Sequence, residues 1–381
     1  MSTNTSRLPA ANTLPDLLLT LIALSGEVPA AIIHRLPCAD SYGESVVKRL
    51  KREKLVRTYY RDGLRGLRLT AAAKKMLLTR YPDRYHTALT GSHETNVLKC
   101  EITRRLRLHR MAEILLTMHN AGICSFPWEK PAVFQPAPTL PNIQIGKPAY
   151  YSSREVKEIG PQGAKIRGSR ATGVLLTDAG IFTVYNTAAS QTRWEYKAEL
   201  RLKALLQMEV CQYRLPEQFM GTEQSAIVFG EGMEPMGGLM GAEVPSARSY
   251  FVLDGSYEHF YYLTNDHHGE VILQLLCNPS QKELLDEILL ENLSAGQSGW
   301  PVENDAFDEA GAPVLFAYTC DMPRIKRFDT ALALRDITGT LICFDFQEDL
   351  LRRICGERVA FQSIDFAAFE RSVFHLSEEM D

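Results

Sequence analysis

The sequence has no long hydrophobic run. The longest apolar stretch near its start, Leu17–Leu24, is much shorter than the roughly 20 residues that a membrane-spanning helix needs, and a threonine interrupts it. Arg7 is the one basic residue before this stretch, and no small-residue cleavage site follows it. We therefore expect neither a secretory signal nor a membrane anchor.

Paired cysteines and the common catalytic signatures are also missing. The eight cysteines are scattered, without a CxxC pair, which is typical of reduced thiols in the cytoplasm and not of a disulfide framework or a zinc cluster. Gly-x-Ser-x-Gly, HExxH and Walker A sequences do not occur. The sequence thus predicts a cytoplasmic protein outside those three enzyme classes.

What the chain does have is a strong separation of charge. The net charge is −4, yet residues 1–122 contain 20 Lys and Arg against 10 Asp and Glu. The remaining residues contain 22 basic and 36 acidic side chains. Such asymmetry indicates an N-terminal part that binds a polyanion, joined to an acidic part with a different task.

The basic part has the order of elements of a winged-helix domain. Residues 1–13 are predicted to be disordered, and residues 14–85 are predicted to form helix, helix, helix, hairpin and helix. Ser41 is the predicted N-cap of a third helix that ends at Lys54. The sequence Arg61-Asp62-Gly63 is a turn signal between two β-prone stretches.

A helix and a hairpin wing of this kind suit duplex DNA, because a helix fits the major groove and the wing reaches the backbone or the minor groove. The candidates for base contact are Ser41, Tyr42, Ser45 and Arg49. The candidates for phosphate contact are Lys48, Arg52, Arg61, Arg65 and Arg68. The alternative is a winged helix whose solvated basic face contacts protein.

A second basic segment follows, at residues 93–123, and is predicted to be a helical connector. Its arginines Arg104, Arg105, Arg107 and Arg110 lie within seven positions. Arginine binds phosphate with two parallel hydrogen bonds, so this helix would extend the DNA-binding surface. The alternative is a dimer or interdomain helix whose arginines pair with the acidic domain.

Residues 124–148 are rich in proline and are predicted to be a linker or a loop that follows the protein surface. Residues 149–381 are predicted to form an acidic α/β domain with a mixed sheet, or two domains with a break near 231–248. The whole chain is thus expected to be α+β.

The start of the acidic domain resembles the core of the PD-(D/E)XK, or restriction-endonuclease-like, fold. The residues that match its metal site are Asp178, Glu195 and Lys197. The resemblance implies that the two carboxylates bind Mg²⁺ and that the lysine stabilises the attacking hydroxide. Asp178-Ala179-Gly180 is equally a hairpin turn that needs no metal, and Glu195 an ion-paired helix start. No cofactor is expected in that case.

Taken together, the chain resembles the replication-relaxation family of plasmids and conjugative elements. The stretches that carry this resemblance are Ser45–Leu78, Arg104–Arg110, Lys165–Leu176, Tyr185–Thr187 and Trp194–Glu199. The resemblance covers roughly residues 14–230 and implies a protein that binds element DNA and assists its replication or relaxation.

The leading hypothesis is therefore a non-catalytic accessory protein of a mobile element, dimeric, that binds duplex DNA and works with a relaxase or replication proteins. One alternative is a Mg²⁺-dependent nuclease of the PD-(D/E)XK type. Another is a transcriptional regulator whose α/β domain binds a ligand or partner.

Overall fold

The computed structural model describes residues 7–90, 101–136, 143–159, 166, 168–189, 195–241, 255–296 and 299–378. The chain divides after Glu129 into two compact units. Both units mix helices with β-sheet, so the predicted α+β class is confirmed. In the described ranges, no helix is both long enough and apolar enough to cross a bilayer.

The N-terminal unit is a small sheet surrounded by helices. The helices among its described residues are α1 (Leu14–Ser25), a 3-10 helix (Ala30–Arg35), α2 (Asp40–Arg52), α3 (Ala71–Arg80), α4 (Pro82–Leu89) and α5 (Ile102–Asn120). Its strands are β1 (Val28–Pro29), β2 (Val56–Arg61) and β3 (Leu64–Leu69). The three strands are antiparallel in the order β1-β3-β2.

Local sequence explains the boundaries of these elements. Helix α1 has proline in its first turn and ends at Gly26, whose φ of 90° is unfavourable for other residues. Thr70 caps α3 by accepting a hydrogen bond from the backbone N–H of Ala73. Asp62 and Gly63 both have positive φ, as a two-residue hairpin turn between right-twisted strands requires.

Three details differ from the sequence predictions. The second helix is a 3-10 helix, and α2 begins at Asp40 with Ala39 at its N-cap, so Ser41 lies inside the helix and does not cap it. Helix α5 packs against α1 and β1 and belongs to the N-terminal unit, where a connector was predicted. The first part of the predicted connector, residues 93–100, lies outside the described residues.

The C-terminal unit contains two five-stranded sheets. The strands of the first are β4 (Ala149–Ser152), β5 (Gly173–Thr177), β6 (Gly180–Ala188), β7 (Gln224–Gly230) and β8 (Phe260–Thr264), in that order across the sheet. Strand β5 is antiparallel to both of its neighbours, β4 and β6, whereas β6, β7 and β8 run parallel. The predicted mixed sheet is therefore present.

Helices connect the strands of this first sheet. They are α6 (Ser153–Val156), with a 3-10 turn at Lys157–Ile159, α7 (Tyr196–Leu206), which continues as a π-helix over Gln207–Arg214, α8 (Pro216–Phe219) and α9 (Glu234–Met240). Ser152 and Glu155 form a capping box at the start of α6.

The second sheet has the order β13-β12-β11-β10-β9. Its strands are β9 (Ser294–Ala295), β10 (Ala306–Phe307), β11 (Pro313–Phe316), β12 (Gly339–Phe344) and β13 (Val359–Ile364). The helices of this region are α10 (His267–Cys277), α11 (Pro279–Leu290), α12 (Met322–Arg335), α13 (Asp345–Ile354) and α14 (Phe366–Glu378). Strands β11, β12 and β13 are parallel, and β11 and β12 are buried over most of their length, which is typical of continuous apolar strands covered on both faces.

The proline-rich segment does not behave as a free linker over its described part. Val133 and Phe134 are buried, and the Arg214 guanidinium donates hydrogen bonds to the carbonyl oxygens of Val133 and Gln135 at 2.6 and 2.9 Å. Residues 190–194 and 242–254 fall outside the described residues, and Tyr196 is the first residue of α7.

Candidate nucleic-acid interface

Helix α2 presents one apolar and one polar face. The buried face carries Gly43, Val46, Val47 and Leu50. The exposed predicted contact residues are Ser41, Tyr42, Ser45, Lys48, Arg49 and Arg52. Positions 41, 45, 48, 49 and 52 recur at helical spacing, so these side chains lie along a single stripe. The sequence therefore placed all six α2 candidates correctly on the accessible surface.

Two cations of this stripe pair with neighbouring carboxylates. Lys48 lies 3.2 Å from Glu44, and Arg49 lies 2.9 Å from Glu53, both one helical turn away. Exposed pairs of this kind contribute little to stability because water and salt screen them, so a phosphate or a base edge can compete for either cation.

The β2–β3 hairpin presents exposed residues beside α2. Arg65 lies opposite Tyr60 across the two strands, and 70% of the Tyr60 surface is exposed. Partial burial lowers the pKa of Lys51, near the end of α2, and the nearby positive charge of Arg65 lowers it further. Helix α2 also packs against β2, so the Tyr60–Arg65 side of the hairpin lies near the C-terminal end of α2. Arg61, at the end of β2, is also exposed.

Two predicted phosphate contacts are wrong because the side chains are buried. Arg68 is 3% exposed and Arg105 is 1% exposed. Both guanidinium groups are directed at the Glu27 carboxylate, which has no exposed surface. Neither arginine is accessible to a phosphate in this fold, and both belong to an internal ion cluster.

This cluster, formed by Glu27, Arg68, Arg105 and His109, joins three distant segments of the chain. Arg68 Nε donates to Glu27 Oε2 at 2.8 Å, Arg105 Nη2 donates to Oε1 at 2.6 Å, and His109 Nε2 lies 3.0 Å from Oε1. Burial by itself raises the pKa of Glu27, but the hydrogen bonds from His109, Arg105 and Arg68 lower it to about 2. Glu27 is therefore an anion held by cationic and N–H donors.

A glycine makes room for this carboxylate. A Cβ atom built on Gly66 of β3 would lie 2.0 Å from Glu27 Oε1. A methyl group and a carboxylate oxygen cannot share that distance, so the hairpin approaches Glu27 closely because residue 66 has no side chain.

The other arginines of α5 are placed differently from Arg105. Arg104 and Arg107 are exposed, whereas Arg110 is half-buried. Arg105 Nη1 donates to the carbonyl oxygen of Arg61 at 2.9 Å, which brings the first turn of α5 to the end of the hairpin. Arg104 and Arg107 thus lie on the exposed side of a helix that adjoins the hairpin.

In the C-terminal unit, the predicted metal-binding residues do not come together. Asp178 is exposed in the two-residue turn that joins β5 to β6, and Glu195 and Lys197 are exposed at the start of α7. Glu199, one turn into α7, accepts a hydrogen bond from Tyr185 near the opposite end of β6. Tyr185 is five residues beyond Gly180, which is roughly 16 Å at about 3.3 Å per residue.

Two ligands of one Mg²⁺ must each lie about 2.1 Å from the ion, so Asp178 and Glu195 do not fit a shared site. In the described ranges, no group of three or more His, Cys, Asp or Glu side chains is arranged to hold a metal ion. Strands β5 and β6 therefore do not bring the two carboxylates together, and the metal centre stays a prediction from the sequence.

Glu199 instead draws together the stretches that carried the family resemblance. Its carboxylate accepts hydrogen bonds from the backbone N–H of Arg170 at 2.6 Å, from Ser169 Oγ at 2.8 Å and from Tyr185 Oη at 3.0 Å. Burial raises the pKa of Glu199, and these hydrogen bonds oppose that rise only in part. The group is 2% exposed and fixes the segment before β5 against α7.

Sequence reasoning missed Glu27, Tyr60, Gly66 and His109. The spacing of α5 contains a signal for part of this set, since Arg105, Leu108 and His109 fall on one helical face with the apolar residues that follow. Arg104 and Arg107 fall on the other side. Glu27 is also unusual for an acidic residue, since it follows an apolar helix directly and precedes Val28-Pro29.

Comparison with known proteins gave no match: no family model, curated protein or solved structure was found to be similar to this chain. The resemblance to the replication-relaxation family stays a prediction from the residues quoted above.

Proposed function

We propose that the N-terminal unit is a winged-helix domain that binds duplex DNA, with α2 in the major groove and the β2–β3 hairpin as the wing. The observation that carries this proposal is the common position of two accessible polar surfaces. The stripe on α2 and the Tyr60–Arg65 side of the hairpin adjoin at Lys51.

The residue types divide into two roles. Ser41, Tyr42, Ser45 and Arg49 are placed along α2 to reach base edges, and an arginine recognises guanine through two parallel hydrogen bonds. The proposed phosphate contacts are Lys48, Arg52, Arg61 and Arg65. Arg104 and Arg107 extend this set, since the start of α5 adjoins the end of the hairpin. Backbone contacts of this kind set the register of the protein on DNA.

The test is binding of the full chain to fluorescent duplex DNA across a salt series. Each phosphate contact releases counterions, so log K falls with log salt. The magnitude of this negative slope is expected to decrease by about 0.9 for each contact removed. Arg52→Ala is expected to lower the slope, and Arg335→Ala, at an exposed site on the C-terminal unit, is the matched control. Absent or salt-insensitive binding by the wild type would overturn the proposal.

For the whole chain we propose a cytoplasmic accessory role in the replication, relaxation or mobilisation of a plasmid or conjugative element. The support is the convergence at Glu199 of stretches that resemble the replication-relaxation family. The β4–β8 sheet, with a helical crossover between β6 and β7, also suits the proposed PD-(D/E)XK-like architecture without a metal role for Asp178.

Two assays distinguish this role from a nuclease and from a transcriptional regulator. Glu195→Ala is expected to leave any nicking of supercoiled plasmid with Mg²⁺ unchanged, whereas a nuclease of the type first considered would lose it. A relaxase or replication protein, and a second copy of the chain, are the proposed partners. A single operator beside its own gene, with no effect on relaxase activity, would favour a transcriptional regulator.

A further inference from the structure

The Arg105 side chain joins the ion cluster to the hairpin. One edge of its guanidinium donates to the Glu27 carboxylate. The other N–H groups donate to the carbonyl oxygens of Arg61 at 2.9 Å, Leu64 at 3.0 Å and Tyr59 at 3.3 Å. Arg61 and Leu64 pair with each other on either side of the Asp62-Gly63 turn. Arg105 therefore holds both strands at the tip of the hairpin.

Only a guanidinium can make this set of contacts. Arginine carries five N–H donors in a rigid plane, which allows one side chain to satisfy a carboxylate and several carbonyl groups in different directions. Lysine has a single nitrogen and three donors. The Tyr59 ring also packs on the guanidinium, with its centroid 4.6 Å from Arg105 Cζ. Replacement by lysine therefore keeps the positive charge but cannot contact the Glu27 carboxylate and the hairpin carbonyl groups at the same time.

The orientation of Arg105 is itself fixed. Glu27 receives donors from Arg68 and His109 as well, and all four side chains are buried. Arg68 is part of β3, and its guanidinium lies 3.7 Å from the centroid of the Tyr59 ring. Glu27 is thus the one anion of the cluster, and it contacts both β3, through Arg68, and α5, through Arg105.

We propose that Arg105 is a positioning residue for DNA binding, which holds the β2–β3 hairpin in the orientation that lets Tyr60 and Arg65 meet the duplex beside α2. This rests on the proposed function. Arg105 itself has no access to DNA, so it acts on binding entirely through the hairpin.

The first test is a double-mutant cycle in the full chain. Arg105→Lys is combined with Arg65→Ala on the hairpin and, separately, with Arg52→Ala on α2. If Arg105 acts through the hairpin, the losses of Arg105→Lys and Arg65→Ala overlap, and the double variant binds no more weakly than the weaker single variant. With Arg52→Ala, the two fold-losses are expected to multiply within about twofold.

Arg105→Lys alone is expected to weaken duplex binding about tenfold and to lower the salt slope by about as much as Arg65→Ala. If Arg105 had only a structural role, its replacement would weaken all DNA contacts alike. The fold-losses of Arg105→Lys and Arg65→Ala would then multiply in the double variant, which would overturn the proposal. Thermal unfolding of each variant reports whether the N-terminal unit is folded at the binding temperature.

The second test needs no variant. Native-state hydrogen exchange is measured on the wild-type chain at the amides of Arg61 and Leu64 and at the amide of Leu108 in α5. A hairpin tip fixed by Arg105 is expected to open only with α5, so the three amides have opening constants within about tenfold of one another. Exchange at the hairpin that is a thousandfold faster than at Leu108 would contradict a fixed tip even if Arg105→Lys fails to fold.

The two proposals fail separately. A wild-type chain that does not bind DNA refutes the proposed function, while hydrogen exchange still measures the attachment of the hairpin. A wild-type chain that binds DNA, with multiplicative losses for Arg105→Lys and Arg65→Ala, refutes the positioning role alone.

Discussion

Arg65 faces Tyr60 across the β2–β3 hairpin, on the side of the hairpin that adjoins the end of α2. An exposed aromatic ring opposite an arginine gives this surface an apolar contact and a cation at the same point. Such a pair suits the sugar-phosphate edge of a groove, where both kinds of group are present.

Tyr60→Ala is expected to weaken binding of duplex DNA by about fivefold, near 1 kcal/mol, without a change in the melting temperature, because the side chain is exposed and supports no core contact. The measurement is fluorescence anisotropy of the full chain. Tyr213→Ala removes a tyrosine of similar exposure, 60%, from the C-terminal unit and serves as the control. Equal losses for the two variants would refute a role for Tyr60.

Arg49 is expected to determine specificity where Arg52 determines affinity. Arg49→Ala should relax selection at one base pair, because a bidentate arginine contributes about 1–3 kcal/mol of discrimination. The measurement is selection of binding sites from a random duplex library by the wild type and by each variant. Arg52→Ala is expected to weaken all sites alike, so a changed consensus for that variant would contradict the assignment.

Glu27 is expected to make the N-terminal unit sensitive to acid. Its folded pKa of about 2 lies below the value of 4.5 expected in the unfolded chain. The resulting stabilisation is therefore present above pH 4.5 and is lost as the pH falls toward 2, by about 3 kcal/mol in total. Hydrogen exchange of peptides from α5, measured between pH 7 and pH 3 and corrected for intrinsic rates, follows this loss.

Two variants test the origin of that acid sensitivity. Glu27→Gln leaves two buried guanidinium groups without their anion and is expected to lower the free energy of unfolding at pH 7 by about 3–5 kcal/mol. It should also flatten the dependence on pH. The exposed Glu44→Gln should change neither quantity appreciably, and a Glu27→Gln chain that keeps the wild-type pH slope would contradict the assignment.

Glu199 is expected to give the C-terminal unit a dependence of opposite sign. Burial holds its pKa above the ordinary value, so the protonated form is favoured in the folded state. The stabilisation that follows is complete below the unfolded pKa and is lost as the pH rises through the folded pKa. The dependence of the free energy of unfolding on pH is measured by urea unfolding between pH 4 and pH 8, monitored in the peptides that cover α7.

Glu199→Gln and Glu199→Ala separate shape from charge. The glutamine keeps an acceptor for Arg170 and Ser169 and is expected to remain within about 1 kcal/mol of the wild type at pH 7, with a flatter pH slope. The alanine leaves three donors without their acceptor and is expected to cost about 2–4 kcal/mol. Similar losses for both variants would indicate that the carboxylate charge itself is required.

The sequence predicted those features that short segments determine alone. The Asp62-Gly63 turn and the helix over residues 41–54 follow from local chemistry. Strand β4 was missed because its partner, β5, begins 21 residues after β4 ends. The helix Met322–Arg335 also escaped the sequence reading.

All candidates on α2 are exposed, whereas one of the candidates on α5, Arg105, is buried. Local spacing identifies a cluster of arginines but does not reveal that one of them has an anion 78 positions earlier in the chain. The same limit applies to Asp178 and Glu195, since their types suit a metal site and only the length and direction of β6 separate them. Burial of charge is decided by tertiary partners, which a local pattern cannot contain.

The close approach of Gly66 to Glu27 has a consequence for protein engineering. A hairpin with a new tip could be grafted between residues 56 and 69 to alter DNA preference. Such a graft would contain only some of the residues that hold the hairpin in place. The acceptor space at position 66, the anion at position 27 and the donor at position 105 come from three separate segments, and a graft that changes one must preserve its fit to the others. In a set of natural variants, those three positions are expected to change together or to stay unchanged, while the turn residues vary freely.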